Sequence, residues 1–310
     1  MSKLRKWVLL LACGILAAAS VCALIRDREP SYEGRPLSEW LAELGWQDED
    51  EIWDANDRAR EAKAQRAREV LGRIGPEAIP HLLRWVRYET PPPSLFRGLL
   101  RVARHHFGFA TDALRYRADA LRYRADGTPT AFGLLGPAAA PAVPRLVTYA
   151  RSGSWEVRYR SIDALATIGP SALPALTNLL SADNGDIRCR VAQRLGRCGT
   201  NAAPAIPALV AALKDSKATV QGAAAWTLGA LQLEPALVVP ALMSAARAPA
   251  PEVRGSALRA LLRFGPDAQP ALPLLLEAWK APQTDTNLAA EIERALPTIA
   301  PEALTNAPPQ

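Results

Sequence analysis

The side chains of this 310-residue chain that could do chemistry are three histidines, four cysteines and a scatter of arginines and tyrosines. His81 is followed by leucine, and His105 and His106 are adjacent, so on a helix these rings leave in different directions and do not converge on a metal. Cys189 and Cys198 sit on one expected helix, about 13 Å apart along its axis, too far to bridge. Cys198 falls in a slot that other parts of the chain fill with Ile74, Ile168 and Phe264, which marks it as a small core hydrophobe. No G-x-S-x-G, G-x-x-x-x-G-K or C-x-x-C occurs, so acyl transfer, nucleotide hydrolysis and dithiol exchange lack their usual frameworks. No catalytic, cofactor-binding or metal-binding residue is assigned, no cofactor is expected, and the chain is not expected to be an enzyme. Arginine and tyrosine remain, and their chemistry is that of binding.

The elements that must position them repeat. Before Gly169, Val157, Ser161, Leu165 and Ile168 fall on one face of a helix about three turns long. Gly169 and Pro170 stop it: glycine takes a positive φ without a Cβ clash, and proline cannot continue the ladder. A second helix follows, with Pro174 in its first turn and Leu173, Leu176 and Leu180 as its apolar stripe. The same frame recurs as Ala67, Leu71 and Ile74 before Gly75; Ile187, Val191, Leu195 and Cys198 before Gly199; and Val253, Ala257, Leu261 and Phe264 before Gly265. Two copies lack the glycine: Val220, Ala224, Leu228 and Leu231 precede Gln232, and Leu288, Ile292, Leu296 and Ile299 precede Ala300. A weaker copy runs Phe132, Leu135, Gly136, and from there the markers lie 33, 30, 33, 33 and 35 residues apart. A fixed period of that size is the mark of a stacked α-solenoid.

The unit places arginine after the first apolar residue (Arg158, Arg188, Arg254) and then, at its best copy, runs I-G-P-x-A-x-P-x-L. It resembles a HEAT repeat of the short, phycobilisome-lyase-like kind, over roughly residues 63 to 304. The resemblance implies an all-α solenoid of about six to seven helical hairpins. Such repeats are mostly protein-binding scaffolds and only rarely enzymes. The paired His-Glu motifs that give the deoxyhypusine hydroxylases their di-iron site have no counterpart here. Bilin lyases and HEAT-like DNA glycosylases share the repeat class, but an exported chain would not ordinarily meet either ligand.

Export is expected from the first 25 residues. Lys3, Arg5 and Lys6 precede an apolar run from Trp7 to Ile25, which as a helix spans about 28 Å, close to the hydrocarbon core of a bilayer. Arg26, Asp27 and Arg28 end it. It reads either as a signal anchor that stays or as a cleaved signal peptide, with Ala17-Ala18-Ala19 or Val21-Cys22-Ala23 as the small-residue site. The solenoid is therefore expected on the extracytoplasmic side of the cytoplasmic membrane, tethered through residues 7–25, or free in the periplasm after cleavage. The expected layout is a signal segment over 1–25, a linker and capping helices over 26–62, the solenoid over 63–304 and a tail over 305–310. The capping stretch contains Y-x-G-R-x-L-x-x-W-L from Tyr32 to Leu41, which resembles an element of exported bacterial HEAT-repeat proteins, and then an acidic run from Asp48 to Asp57.

A formal charge of +6 is too diffuse to imply nucleic acid, and neither nucleic acid nor a small molecule is expected as partner. The expected partner is another protein. In HEAT-like stacks the second helices line the inner face. There the amino-terminal repeats offer His81, Arg84, Arg87, Tyr88, Arg145 and Tyr149, where later ones offer mostly Ala175, Ala205, Ala208, Ala241 and Ala245. Arg84, Arg87, Tyr88, Arg145 and Tyr149 are accordingly the candidate docking residues. A different reading uses the basic insertion at about 90–130, where Arg97 to Arg124 surround the duplicated ALRYRAD of residues 113–126, to hold an anionic polymer or envelope surface. Salt separates the two, because polyanion binding weakens steeply with ionic strength and apolar groove binding does not.

Overall fold

The computed structural model describes residues 29–43, 57–89, 110–281 and 286–299. The apolar run 7–25, the acidic run from Asp48 as far as residue 56, and the stretch from Arg97 through His105 and His106 lie outside the described residues. Among the described residues no helix is long and apolar enough to cross a membrane.

The described chain opens with a small antiparallel hairpin, β1 (Ser31–Tyr32) and β2 (Arg35–Pro36), in which Tyr32 faces Arg35. Its turn residues Glu33 and Gly34 both have positive φ, as a tight two-residue hairpin turn demands. Helix α1 (Leu37–Glu43) follows. The Tyr32–Leu41 element is thereby explained as a packing cap. Trp40 is buried against Ala67 and Val70 and donates its indole N–H to the Tyr32 carbonyl at 3.3 Å. Arg35 lies 4.3 Å over the Trp40 ring, and Glu29 caps α1 by accepting the Ser38 amide at 3.0 Å. Each named position thus seals the end of the stack.

The solenoid consists of first helices α2 (Asp57–Ile74), α4 (Ala110–Leu135), α6 (Trp155–Ile168), α8 (Gly185–Leu195), α10 (Ala218–Leu231), α12 (Pro251–Arg263) and α14 (Thr286–Ile299). Between them lie second helices α3 (Ile79–Val86), α5 (Val143–Ser152), α7 (Leu173–Asn178), α9 (Ile206–Ala212), α11 (Pro235–Ala245) and α13 (Leu272–Lys280). Each first helix packs on the next, and α5, α9, α11 and α13 pack on the first helix that follows them. Apart from Ala67, which packs with Trp40 and Val70, the repeated apolar positions build or pack on one continuous core from Leu37 to Ile299. Ser161, the polar member of that face, is buried with its hydroxyl donating to the Val157 carbonyl at 2.6 Å. Cys198 is half-buried and packed against this core, as Ile74 is in the same slot, and burial raises its thiol pKa.

The described part of the 90–130 segment is helical. Helix α4 runs unbroken through both ALRYRAD copies to Leu135, and Phe132 and Leu135 are buried where the period requires. Leu121, from the second copy, is 40% exposed.

Gly75, Gly136, Gly169, Gly199 and Gly265 all have positive φ. Gln232 takes the same position in its copy with φ 51° and ψ 36°, its amide donating to the Leu228 carbonyl, so the turn survives without glycine. Gly169 goes further than the left-handed helical conformation, with φ 91° and ψ −150°. That region is nearly exclusive to glycine, although an added Cβ would meet nothing within 4 Å. Gly169→Val is therefore expected to cost about 1–3 kcal/mol through backbone strain alone, and Gly169→Ala nearly as much. Urea unfolding of the two variants checks this, and an unaffected Gly169→Ala would mean that the turn relaxes.

The recurrent arginine ties down the turn behind it. Arg188 donates through Nη1 to the Ala182 and Asp183 carbonyls at 2.7 and 2.9 Å, and Arg254 does the same to Ala248 and Pro249 at 3.2 and 2.8 Å. These carbonyls sit in the connection between repeats, where the backbone supplies no ladder partner.

Candidate functional site

The five candidate docking residues fall on two consecutive second helices and the turn that follows the first of them. Arg84 lies in the last turn of α3, Arg87 caps it and Tyr88 follows, while Arg145 and Tyr149 lie on α5. The buried stripes Leu82, Leu83 and Val86 on α3 and Leu146 and Ala150 on α5 set which way these helices face. Arg84, Arg87 and Arg145 are exposed; Tyr88, Tyr149 and His81 are half-buried. His81 stands 6.3 Å from the Trp85 ring, tilted at 54°.

Two of the five are brought together across the repeat boundary. The Arg87 guanidinium lies 5.6 Å from the centroid of the Tyr149 ring, within the range at which a cation is drawn to an aromatic face. The end of α3 is held from behind by Arg160 of α6, a buried arginine that donates Nε to Asp126 at 2.7 Å and Nη1 to the Tyr88 carbonyl. Tyr88 is thus held through its backbone carbonyl. Of the later alanines, Ala205 and Ala245 are buried and belong to the core, so they offer nothing to a partner. Ala175, Ala208 and Ala241 are half-buried.

Within the basic segment, Arg124 is committed to the fold. It pairs with Glu29 at 3.6 Å and lies 6.0 Å over the Trp85 ring. Arg122 is exposed and reaches Asp126 at 3.5 Å.

Sequence reasoning missed the ion pairs that arginines of the first helices make. Asp163 of α6 accepts from two residues of α8: Arg190 at 3.0 and 2.6 Å, and Arg194 at 2.5 and 2.8 Å. Burial lowers the pKa of Arg194 against the pull of Asp163. Asp215, before α10, takes Arg188 of α8 in a two-pronged bond at 2.7 and 2.8 Å. Both aspartates lie 27 residues from an arginine partner, close to one repeat, which is the only signal that could have found them. Among the described residues no group of three or more His, Cys, Asp or Glu side chains could hold a metal ion.

Comparison with known proteins agrees with the fold. The HEAT-repeat family pattern matches residues 143–229 and 206–296. No curated protein matches the sequence. Among solved structures, Kap121p is similar at 14% identity over 85% of this chain and 29% of its own, with a TM-score of 0.48. Kap95p, solved with RanGDP, is similar at 14% identity over 92% of this chain and 33% of its own, with a TM-score of 0.46. A chain from the complex of CpcE and CpcF of phycocyanin lyase from Nostoc sp. PCC7120 is similar at 19% identity over 88% of this chain and 98% of that chain, with a TM-score of 0.34. This chain spans under a third of the Kap121p chain it matches, and likenesses of this degree concern the fold alone. With stacked hairpins running from Asp57 to Ile299 and the family pattern matched across the carboxy-terminal repeats, the chain is a HEAT-repeat protein.

Proposed function

We propose that this protein is a non-enzymatic, protein-binding scaffold tethered to the cytoplasmic membrane through residues 7–25, its solenoid on the extracytoplasmic side and its partner seated on the second helices of the amino-terminal repeats. The observation that carries the docking site is the Arg87–Tyr149 stack at 5.6 Å, which joins two hairpins into one arginine- and tyrosine-bearing surface. Stacked repeats present extended binding surfaces of this kind, and arginine and tyrosine dominate the energetics of protein interfaces. Arg124, engaged with Glu29 and Trp85, is not free to hold a polyanion. The tether rests on the amino-terminal sequence alone: a basic start, an apolar run long enough to span and an abrupt charged stop.

The docking test begins with crosslinking in the native envelope and mass spectrometry of the captured protein. Arg87→Ala with Tyr149→Ala is then expected to weaken that partner by roughly 2 kcal/mol or more, about 30-fold. Asn178→Ala with Lys214→Ala, both exposed on later repeats, should leave it unchanged. Loss with the later pair alone would place the site at the other end of the solenoid. For the topology, alkaline phosphatase fused after Gln310 is expected to be active in cells, and an inactive, cytoplasmic fusion overturns export.

A further inference from the structure

We infer that the first helices carry a second binding site, a cleft that takes the carboxylate side chains of an acidic peptide segment of a partner protein. The cleft has a volume of about 650 Å³ and crosses α4, α6 and α8 near their glycine ends. That size lies within the range of formed ligand sites. Its floor is apolar where Leu134 and Leu173 contribute. Its walls bring Arg194 and Arg197 together with Asn201 and Thr130. Pro129 shapes one side: lacking an amide it leaves the Ala125 carbonyl to the Thr128 hydroxyl at 2.6 Å, and its own carbonyl accepts from Thr167 of α6 at 2.7 Å.

Charge decides the ligand. Two carboxylates line the cleft, Asp126 and Asp163, and both are taken: Asp126 by Arg160 and Arg122, and Asp163 by Arg190 and Arg194 together. Arg197 is exposed and forms no ion pair among the described residues. Arg194 and Arg197 line the cleft itself, and Arg122, Arg160 and Arg190 pair with its aspartates from around it, so five arginines meet two aspartates at this place, an excess of three positive charges. Burial is the chief cause that lowers the pKa of Arg194; Asp163 opposes it, and the neighbouring Arg190 and Arg197 add smaller repulsions. An incoming carboxylate between Arg194 and Arg197 relieves that repulsion and gains charge-assisted hydrogen bonds.

An extended peptide fits better than a compact anion because the site continues along α6. Asp163, Tyr159 and Trp155 follow at four-residue spacing, about 12 Å of one helix face. Arg190 lies 4.9 Å over the Tyr159 ring, and Trp155 meets Tyr159 edge-on at 5.9 Å. Trp155 is 65% exposed, the most exposed large hydrophobic residue among those described. A segment with its glutamates at the arginines and an apolar residue at Trp155 satisfies both ends.

The test is fluorescence anisotropy with the full-length chain and a fluorescein-labelled peptide made of a glutamate run, a glycine spacer and a terminal leucine. Saturable binding is expected, weakened about tenfold or more by Arg197→Glu and severalfold by Trp155→Ala. Arg247→Glu in the exposed turn after α11, which makes the same charge change elsewhere, should leave it unaffected. Asn201→Ala, which changes no charge, should weaken it as well, and circular dichroism of each variant checks the fold. Equal binding by Arg197→Glu and Arg247→Glu overturns the site, as does the absence of saturable binding. Displacement by glutarate at the peptide's own effective concentration would make this a site for small carboxylates and overturn the peptide assignment. Arg87→Ala with Tyr149→Ala should not alter peptide affinity, so this site and the second-helix surface fail or stand separately.

Discussion

Leu165→Ala is expected to lower the unfolding free energy by about 2–5 kcal/mol, and to do so locally. Leu165 is 1% exposed on α6, and its loss leaves a void where α4, α5 and α7 close around that helix. Because each repeat touches only its neighbours, stability sums over units and interfaces and is not a property of one shared nucleus. Hydrogen exchange should therefore speed up first in α6, α7 and the hairpins on either side, while α12 to α14 keep native protection. Leu261→Ala, fully buried on α12, should produce the mirror result, with α10 and α14 loosened and α4 spared. The two costs should add to within about 0.5 kcal/mol in the double variant, since the sites share no partner. Uniform loosening from Ala67 to Ile299 in either variant would mean a single cooperative core.

Asp215→Asn is expected to cost about 1.5–3 kcal/mol at neutral pH, the range for a hydrogen bond to a charged group. The carboxylate binds both Nε and Nη2 of Arg188 and also accepts the Lys217 amide at 2.9 Å, with side-chain exposures of 12% and 10% for the arginine and aspartate. Arg188 meanwhile holds the Ala182 and Asp183 carbonyls, so one guanidinium joins the turn before α8 to the turn before α10. The hydrogen bond from Arg188 is the chief cause that holds the Asp215 carboxyl below its ordinary pKa, with the Lys217 amide assisting against the cost of burial. A depressed folded value stabilises the native state above the unfolded value of about 3.9, and that contribution is lost as pH falls through the folded value. The wild-type chain should accordingly lose stability on acidification below about pH 4, and Asp215→Asn should lose less over the same interval. The two denaturation midpoints should converge as pH falls, and a constant gap between pH 7 and pH 3 would rule out this ion pair as the source.

Arg188 and Arg254 share a sequence slot yet do different amounts of work. Both secure the turn behind them, but among the described residues only Arg188 finds a carboxylate one repeat ahead, where the place equivalent to Asp215 for Arg254 holds Ala281. Arg158, in the same slot on α6, has its Nε buried without a hydrogen-bond partner.

The solenoid was legible in the sequence because its signals are local. A helix face repeats every three to four residues, a positive-φ turn selects glycine, and proline is tolerated in a first turn; all three recur on one period. That period even located the turn at Gln232, where the glycine is missing and the backbone is left-handed all the same. The five docking candidates could be named as polar residues on second helices, but their exposure could not be graded. Tyr88 and Tyr149 are half-buried and Ala205 and Ala245 are core, since burial depends on how far each helix leans on its neighbour. Tertiary structure alone decided which charges meet. Arg87 reaches Tyr149 across 62 positions, Arg160 reaches Asp126 across 34 and Arg194 reaches Asp163 across 31. Such pairs depend on the stagger and rotation between stacked helices, and those are set by side-chain packing in the groove between repeats, which no local pattern along the chain encodes.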